Sequence, residues 1–357
     1  MIPRDFWLLA FMVCGVLAPG ANAAAEPLPA AGAGAPIHGK GVVRSEFVFD
    51  KVPFDSCHAS TIAETAGGLA AAWFAGHEEG SADVGIWIAL HDGRGWSAPV
   101  EVANGVQAEG ARFPCWNPVL FNAGQPGLLL FYKIGPSPSA WWGMLTRSTD
   151  GGQTWSLPER LPQGILGPVK NKPVVLKSGA LLCGSSSEHD GWRVHLETTT
   201  DLGKTWRKTG PLNDGRDFAA IQPTILVHPK GKLQILCRSR QQAIVESWSD
   251  DDGQTWSPLR ATILPNPNSG IDAATLRDER SLLVYNRTRR GRFPLNVAIS
   301  SDGRVWQDAL TLESLPGEYS YPAVIQTADG HVHVVYTWNR LRIRHVVLDP
   351  AQWNPPQ

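Results

Sequence analysis

One short pattern, Ser/Thr-x-Asp-x-Gly-x-Thr-Trp, recurs along the chain at almost constant spacing, and nothing else in the sequence restricts the fold as strongly. Full copies run from Ser148 to Trp155, Thr199 to Trp206 and Ser249 to Trp256, with shortened copies at Asp92–Trp96 and Asp302–Trp306. The aspartates stand at 92, 150, 201, 251 and 302, so their separations are 58, 51, 50 and 51 residues. A period near fifty belongs to propellers or solenoids. The motif's own chemistry is structural. The carboxylate accepts backbone N–H groups across a tight turn, glycine supplies positive φ, and tryptophan packs under the hairpin. These aspartates are therefore read as fold markers, not as catalytic groups.

A second repeat interleaves with the first. Two apolar runs flank a turn in Thr61–Gly76, Asn117–Gly135, Asn171–Ser187, Gln222–Arg240, Asp272–Thr288 and Tyr321–Asn339. Each such hairpin supplies strands one and two of a blade, and the following Asp-box hairpin supplies strands three and four. Six first hairpins against five Asp-boxes leave the last blade one strand short. Leu341–Leu348 serves as its third strand, and Val42–Phe49 closes the ring as its fourth. The expected fold is thus all-β, a six-bladed propeller over residues 42–349 with a tail at 350–357.

This arrangement puts both hairpin turns at one end of each blade and the chemistry at the other. The first strands begin at His58, Trp116-Asn117, Lys170-Asn171-Lys172, Gln222, Asp272 and Tyr319-Ser320-Tyr321. The second strands end at His77-Glu78 (Asp83 beyond), Trp141-Trp142, Glu188-His189, Arg238 and Arg240, Arg287 to Arg292, and Trp338-Asn339-Arg340. Aromatic faces that stack on sugar, mixed with groups that fix hydroxyls, make a carbohydrate pocket.

A net charge of −1 with 18% charged residues gives no reason to expect nucleic acid or an anionic membrane as partner. Arg4, the apolar stretch Phe6 to Ala18 and Ala21-Asn22-Ala23 read as a signal peptide over 1–23. Residues 24–41 read as a disordered spacer. The mature chain is expected to be secreted or periplasmic, free of the membrane after cleavage, and monomeric. Of the cysteines beyond Cys14, Cys183 and Cys237 lie in apolar strands as small hydrophobes, and Cys57 with Cys115 is the more plausible disulfide pair. No zinc-ligand spacing and no phosphate loop occurs, so no cofactor and no metal is expected. Asn286-Arg-Thr288 forms a glycosylation sequon at the pocket end.

With these repeats the chain resembles the sialidase (neuraminidase) superfamily over nearly all of 42–349. The strings Ile221–Thr224, Leu264–Gly270, Gly317–Pro322 and Tyr336–Arg340 resemble its bacterial branch of BNR-repeat, sialidase-like proteins. The resemblance implies a carboxylate clamp of arginines, for which Arg292 and Arg238 match, with Arg240 the nearby contender. It implies Tyr319 as nucleophile and Asp83 as acid/base. It also exposes departures. His58 stands in Cys57-His-Ala-Ser60 where the first clamp arginine is usual, His77 replaces a further pocket arginine, and Gln222 replaces the glutamate that activates the tyrosine. A phenol of pKa about 10 needs a base or a strong cationic field to react at neutral pH. Gln222 cannot be that base, whereas His58 or His77 can. Lys170, Lys172, Asp272, Gln222 and Tyr321 complete the expected substrate contacts. Three functions fit: an exo-glycosidase acting on an acidic terminal sugar, a lyase or other glycosidase acting on uronate-containing glycans, and a non-catalytic glycan-binding propeller.

Overall fold

The computed structural model describes Gly34, residues 36–124 and residues 127–353; the signal-peptide assignment and most of the spacer lie outside them. Six antiparallel four-stranded sheets form the blades of a six-bladed β-propeller. Blade 1 comprises Ser56–Thr65, Gly68–Gly76, Gly85–His91 and Val100–Ala103. Blade 2 comprises Cys115–Asn122, Leu128–Ile134, Trp142–Ser148 and Glu159–Arg160. Blade 3 comprises Val174–Val175, Leu181–Ser187, Arg193–Thr199 and Arg207–Thr209, its first strand cut to two residues. Blade 4 comprises Ala220–Val227, Leu233–Ser239, Ala243–Ser249 and Arg260–Pro265. Blade 5 comprises Asp272–Thr275, Ser281–Tyr285, Leu295–Ser300 and Gln307–Glu313. Blade 6 comprises Tyr319–Gln326, Val332–Trp338 and Arg342–Leu348, and Val42–Phe47 pairs antiparallel with its third strand. The N-terminal strand therefore closes the ring, as the excess of hairpins over Asp-boxes requires.

The second strands of the blades are buried on both faces, which is why their sequences read as largely apolar runs, whereas the outermost strands of blades 1 to 5 are mostly exposed or half-buried. Among the described residues the buried hydrophobics fall into six clusters, one at each blade–blade interface. Between blades 4 and 5, for example, Leu226, Leu236 and Ile244 meet Ile271, Leu283 and Tyr285. Cys57, Cys115, Cys183 and Cys237 are all free and buried, so the disulfide considered for Cys57 and Cys115 is not formed. Burial pushes their thiols up, because an apolar core disfavours the charged thiolate.

The Asp-boxes do what their chemistry dictates. Asp150 Oδ1 accepts from the backbone N–H of Gln153 and Thr154 at 3.0 and 2.9 Å and from the Ser148 hydroxyl at 2.8 Å. Trp155 Nε1 donates to the Gly152 carbonyl at 3.1 Å. The Thr154 hydroxyl on Oδ2, with the Thr154 N–H, the Ser148 hydroxyl and the Gln153 N–H, holds the Asp150 carboxyl below the ordinary range of aspartate. The Asp-box turn of blade 2 and the first turn of blade 1 line one cavity, at the end opposite the site described next.

Candidate functional site

The site is built by an irregularity repeated around the axis. The register between first and second strands slips at the same place in four blades: from His58 to Thr61, Trp116 to Val119, Ile221 to Thr224, and Ser320 to Ala323. At each slip a non-glycine residue takes positive φ: Ala59 at 56°, Asn117 at 40°, Gln222 at 58° and Tyr321 at 52°. Lys170, at 78°, does the same just ahead of blade 3's first strand. Side chains rarely adopt this conformation, and bulges that impose it re-aim residues at functional sites. Proline follows in three of the four, at Pro118, Pro223 and Pro322, where the broken ladder has no use for an N–H.

Tyr321 sits at the centre. Its phenol oxygen accepts a 2.6 Å hydrogen bond from Arg238 Nη1, and Gln222 Nε2 approaches the same oxygen at 3.5 Å. Gln222 Oε1 in turn accepts from Arg238 Nη1 at 3.3 Å, which fixes the orientation of the amide. With two donors aimed at the oxygen, the phenol's own hydrogen is left to point away from both. The His58 ring lies 4.3 Å from the Tyr321 ring, centroid to centroid, and its Nδ1 is 3.1 Å from Thr337 Oγ1. Gly270 stands against the opposite flank: a Cβ there would meet the phenol ring at 3.1 Å, so glycine keeps the ring's place open.

Electrostatics at this centre are one-sided. Burial holds the His58 imidazole well below its ordinary value, and Arg340, Arg292, Arg238 and Lys170 all push the same way. His58 is therefore a neutral ring in a positive field, which favours an anionic occupant. The arginines divide the work. Arg238 donates Nε to Asn268 Oδ1 at 2.9 Å, Nη2 to the Asn268 carbonyl, and Nη1 to Gln222 and Tyr321, leaving a single N–H unused among the described residues. Among the described residues Arg292 donates only through Nη1, to Glu318 at 2.8 Å and Ser320 Oγ at 3.3 Å. Its Nε and Nη2 edge remains available as a fork for a carboxylate. Glu318 also accepts from Arg340 Nε at 2.9 Å, so one carboxylate aligns two guanidiniums. At the rim, Arg240 stacks over Trp192 at 4.3 Å. Glu188 is half-buried there, and burial raises its carboxyl despite the opposing charges of Arg238 and Arg240 and a hydrogen bond with Trp192.

Several expected contacts lie elsewhere. Tyr319, expected as the nucleophile, is packed between blades 5 and 6 with Leu295, Val297 and Tyr336. Burial raises its phenol, with Glu313 adding to the effect. Two positions along an extended strand share a face, but the bulge after Ser320 breaks that alternation and turns Tyr321 to the axis. Lys170, Lys172 and Asp272 form a hub beneath the site. Lys172 Nζ donates to Asp272 at 2.9 Å, and Asp272 also accepts from Thr224 Oγ1 and Val324 N–H, both at 2.8 Å. Lys170 Nζ donates to Asn171 Oδ1 at 2.8 Å and to the Ile271 and Pro322 carbonyls, and burial lowers it to about 7. Their charges tie blades 3, 4, 5 and 6 together. His77 and Asp83 lie in the exposed loop after blade 1's second strand. Asp83 Oδ2 caps the His77 N–H at 2.9 Å, and His77 Nδ1 pairs with Asp55 at 2.9 Å, which raises the imidazole. Asn286 is fully buried and donates to the Pro294 and Tyr319 carbonyls, both at 3.0 Å, so its sequon is not presented to solvent.

Asn268, Glu318, Thr337 and Trp192 were not singled out from sequence as site residues. A signal for the central tyrosine did exist: Asn117-Pro, Gln222-Pro and Tyr321-Pro repeat at one strand position, marking Tyr321 over Tyr319.

A family model described as a BNR repeat-like domain matches residues 67–334. The chain belongs to this family. Comparison with curated proteins gives no match. Among solved structures, this BNR repeat-like chain is similar to a Dyadobacter fermentans protein of unknown function, with TM-score 0.72 and 17% identity over 86% of this chain and 98% of that one. It is also similar to the NanB sialidase of Streptococcus pneumoniae, with TM-score 0.71 and 12% identity over 87% of this chain and 71% of that one. A third likeness is to the intramolecular trans-sialidase of Ruminococcus gnavus, with TM-score 0.67 and 13% identity over 87% and 98% of the two chains. At such identities the likeness establishes a sialidase-like propeller fold.

Proposed function

We propose that the protein is an exported carbohydrate-active enzyme that acts, sialidase-like, on the terminal acidic sugar of a glycan held over Tyr321. The observation that carries this reading is the Tyr321 phenol, fixed by Arg238 beside a neutral His58 and ringed by positive charge. Arg292, with its free edge, takes the sugar carboxylate, and Glu318 holds that arginine in place. Tyr321 attacks the anomeric carbon, giving its proton to His58 while the leaving oxygen is protonated by a nearby acid. The raised carboxyl of Glu188 is the better acid on electrostatic grounds, because Asp83 is spent on capping its own loop. Water then releases the sugar from the tyrosine. Binding of a carboxylate cancels much of the field acting on His58 and so makes the imidazole a stronger base when substrate is present.

A second reading has its own support. Gln222 supplies no carboxylate to the tyrosine, and the neutral imidazole beside a phenol suits proton abstraction and return in a β-elimination from a uronate. Incubation with sialyl and uronyl oligosaccharides separates the two, reading released sialate and the ultraviolet absorbance of unsaturated uronate. Sialate release that Tyr321→Phe abolishes supports the first reading, and unsaturated product supports the second. Binding without turnover of either would leave a glycan-binding propeller.

A further inference from the structure

A cavity of about 280 Å³ opens between blades 2 and 3, away from Tyr321, on the face where the second strands of these blades end. It is near the lower end of the range for small-ligand pockets. One wall is the pair Trp141 and Trp142, both half-exposed, and the other is the connection Leu161–Leu166. That connection is shaped by Gly164, at φ 81°, whose carbonyl accepts from Lys208 Nζ at 3.2 Å. Ser139, Gln163, Ser187 and His189 add hydrogen-bonding groups.

Two features of this cavity call for a ligand. The first is charge. Arg160 and Lys208 line it, no aspartate or glutamate does, and Arg160 has no carboxylate partner among the described residues. The Arg160 guanidinium lies 4.7 Å from the Trp142 ring, so a cation and an aromatic face are presented together. The second is its place on the same end of the propeller as the axial site: buried rings bridge the two, from Tyr321 through His58, Phe74 and Trp116 to the half-exposed Trp141, with centroid steps of 4.3, 5.6, 6.0 and 6.2 Å.

We infer that the cavity between blades 2 and 3 is a subsite for a second acidic sugar, carried by the same chain whose terminal unit occupies the axial site. This rests on the acidic-glycan reading above and sharpens it: the substrate is an anionic oligosaccharide bearing charge on more than one residue. Stacking on Trp141 orients the inner sugar, and Arg160 and Lys208 neutralise its carboxylate or sulfate.

Isothermal titration of the Tyr321→Phe protein, which cannot consume its ligand, tests the subsite. The probes are galacturonic and sialic acid, the tetrasaccharide of each, and neutral maltotetraose. At least one acidic tetrasaccharide is expected to bind tenfold or more tighter than its monomer. Trp141→Ala and Arg160→Ala, both at exposed or half-exposed positions, should each remove that gain and leave monomer affinity in place. Equal affinity for tetramer and monomer, or a gain that survives both substitutions, overturns the subsite while monomer binding keeps the axial reading alive. Maltotetraose binding as tightly as the acidic tetramers overturns its charge selectivity. If no acidic saccharide binds at all, the axial reading falls and takes the subsite with it.

Discussion

Acid should unfold this propeller at its closure, and a single histidine should account for a measurable share of that effect. His333 and His345, on neighbouring strands of blade 6, lie 2.9 Å apart, Nδ1 to Nε2, with their rings stacked at 5.2 Å. His345 Nδ1 contacts Glu46 at 3.1 Å, on the N-terminal strand that closes the ring. His345 donates to that carboxylate, so its Nε2 accepts from His333 and both rings stay neutral. Burial, with His345 beside it, lowers His333 from 6.5 to about 4. Arg44 and His91 also face the cluster, and Asp329 and His331 flank it. Above pH 6.5 neither folded nor unfolded chain protonates this histidine, so it exacts no penalty. As pH falls from 6.5 toward 4 only the unfolded chain takes up the proton, and stability is lost at up to about 1.4 kcal/mol per pH unit. Between pH 7 and 4.5 the loss from His333 alone is roughly 2 kcal/mol on these values. Urea unfolding followed by tryptophan fluorescence at both pH values, on wild type and His333→Phe, measures it. The variant should lose about 2 kcal/mol less than wild type on acidification. An equal or larger loss in the variant would refute the argument.

Tyr321→Phe should abolish turnover with the fold intact, whereas Tyr319→Phe should leave kcat nearly unchanged; circular dichroism and steady-state kinetics on the pair decide between the two tyrosines. Arg292→Ala should weaken a carboxylate-bearing sugar by about 1.5–3 kcal/mol, the range for hydrogen bonds to charged groups, and neutral sugars far less, as read by calorimetry. Gln222→Glu should restore a carboxylate beside the phenol, and a rise in sialate release would show that sialidase chemistry had been given up at this position. Glu188→Gln should lower kcat and flatten the alkaline limb of the pH–rate profile, while Asp83→Asn should leave that limb in place.

Much of the architecture is legible in the chain because it depends on local chemistry repeated at a fixed interval. An Asp-box turn is satisfied within eight residues, as in Ser148 to Trp155, so its recurrence announces each blade without tertiary information. Strand counting alone assigned Val42–Phe49 to the last blade, where Val42–Phe47 pairs, because a propeller with an open edge would leave a row of unpaired backbone groups. The ends of the strands likewise placed Arg238, Arg292, Gln222 and His58 on one face. What only the folded molecule decided is which way individual side chains turn there. Tyr319 and Tyr321 are indistinguishable by strand alternation; the residue–proline repeat singles out Tyr321, but the bulge that sends one into the core and the other to the axis is seen only in the folded sheet. The hub shows the same limit. Asp272 lies a hundred residues beyond Lys172 in sequence, and whether such charges meet a ligand or one another depends on contacts across the ring that no local pattern encodes.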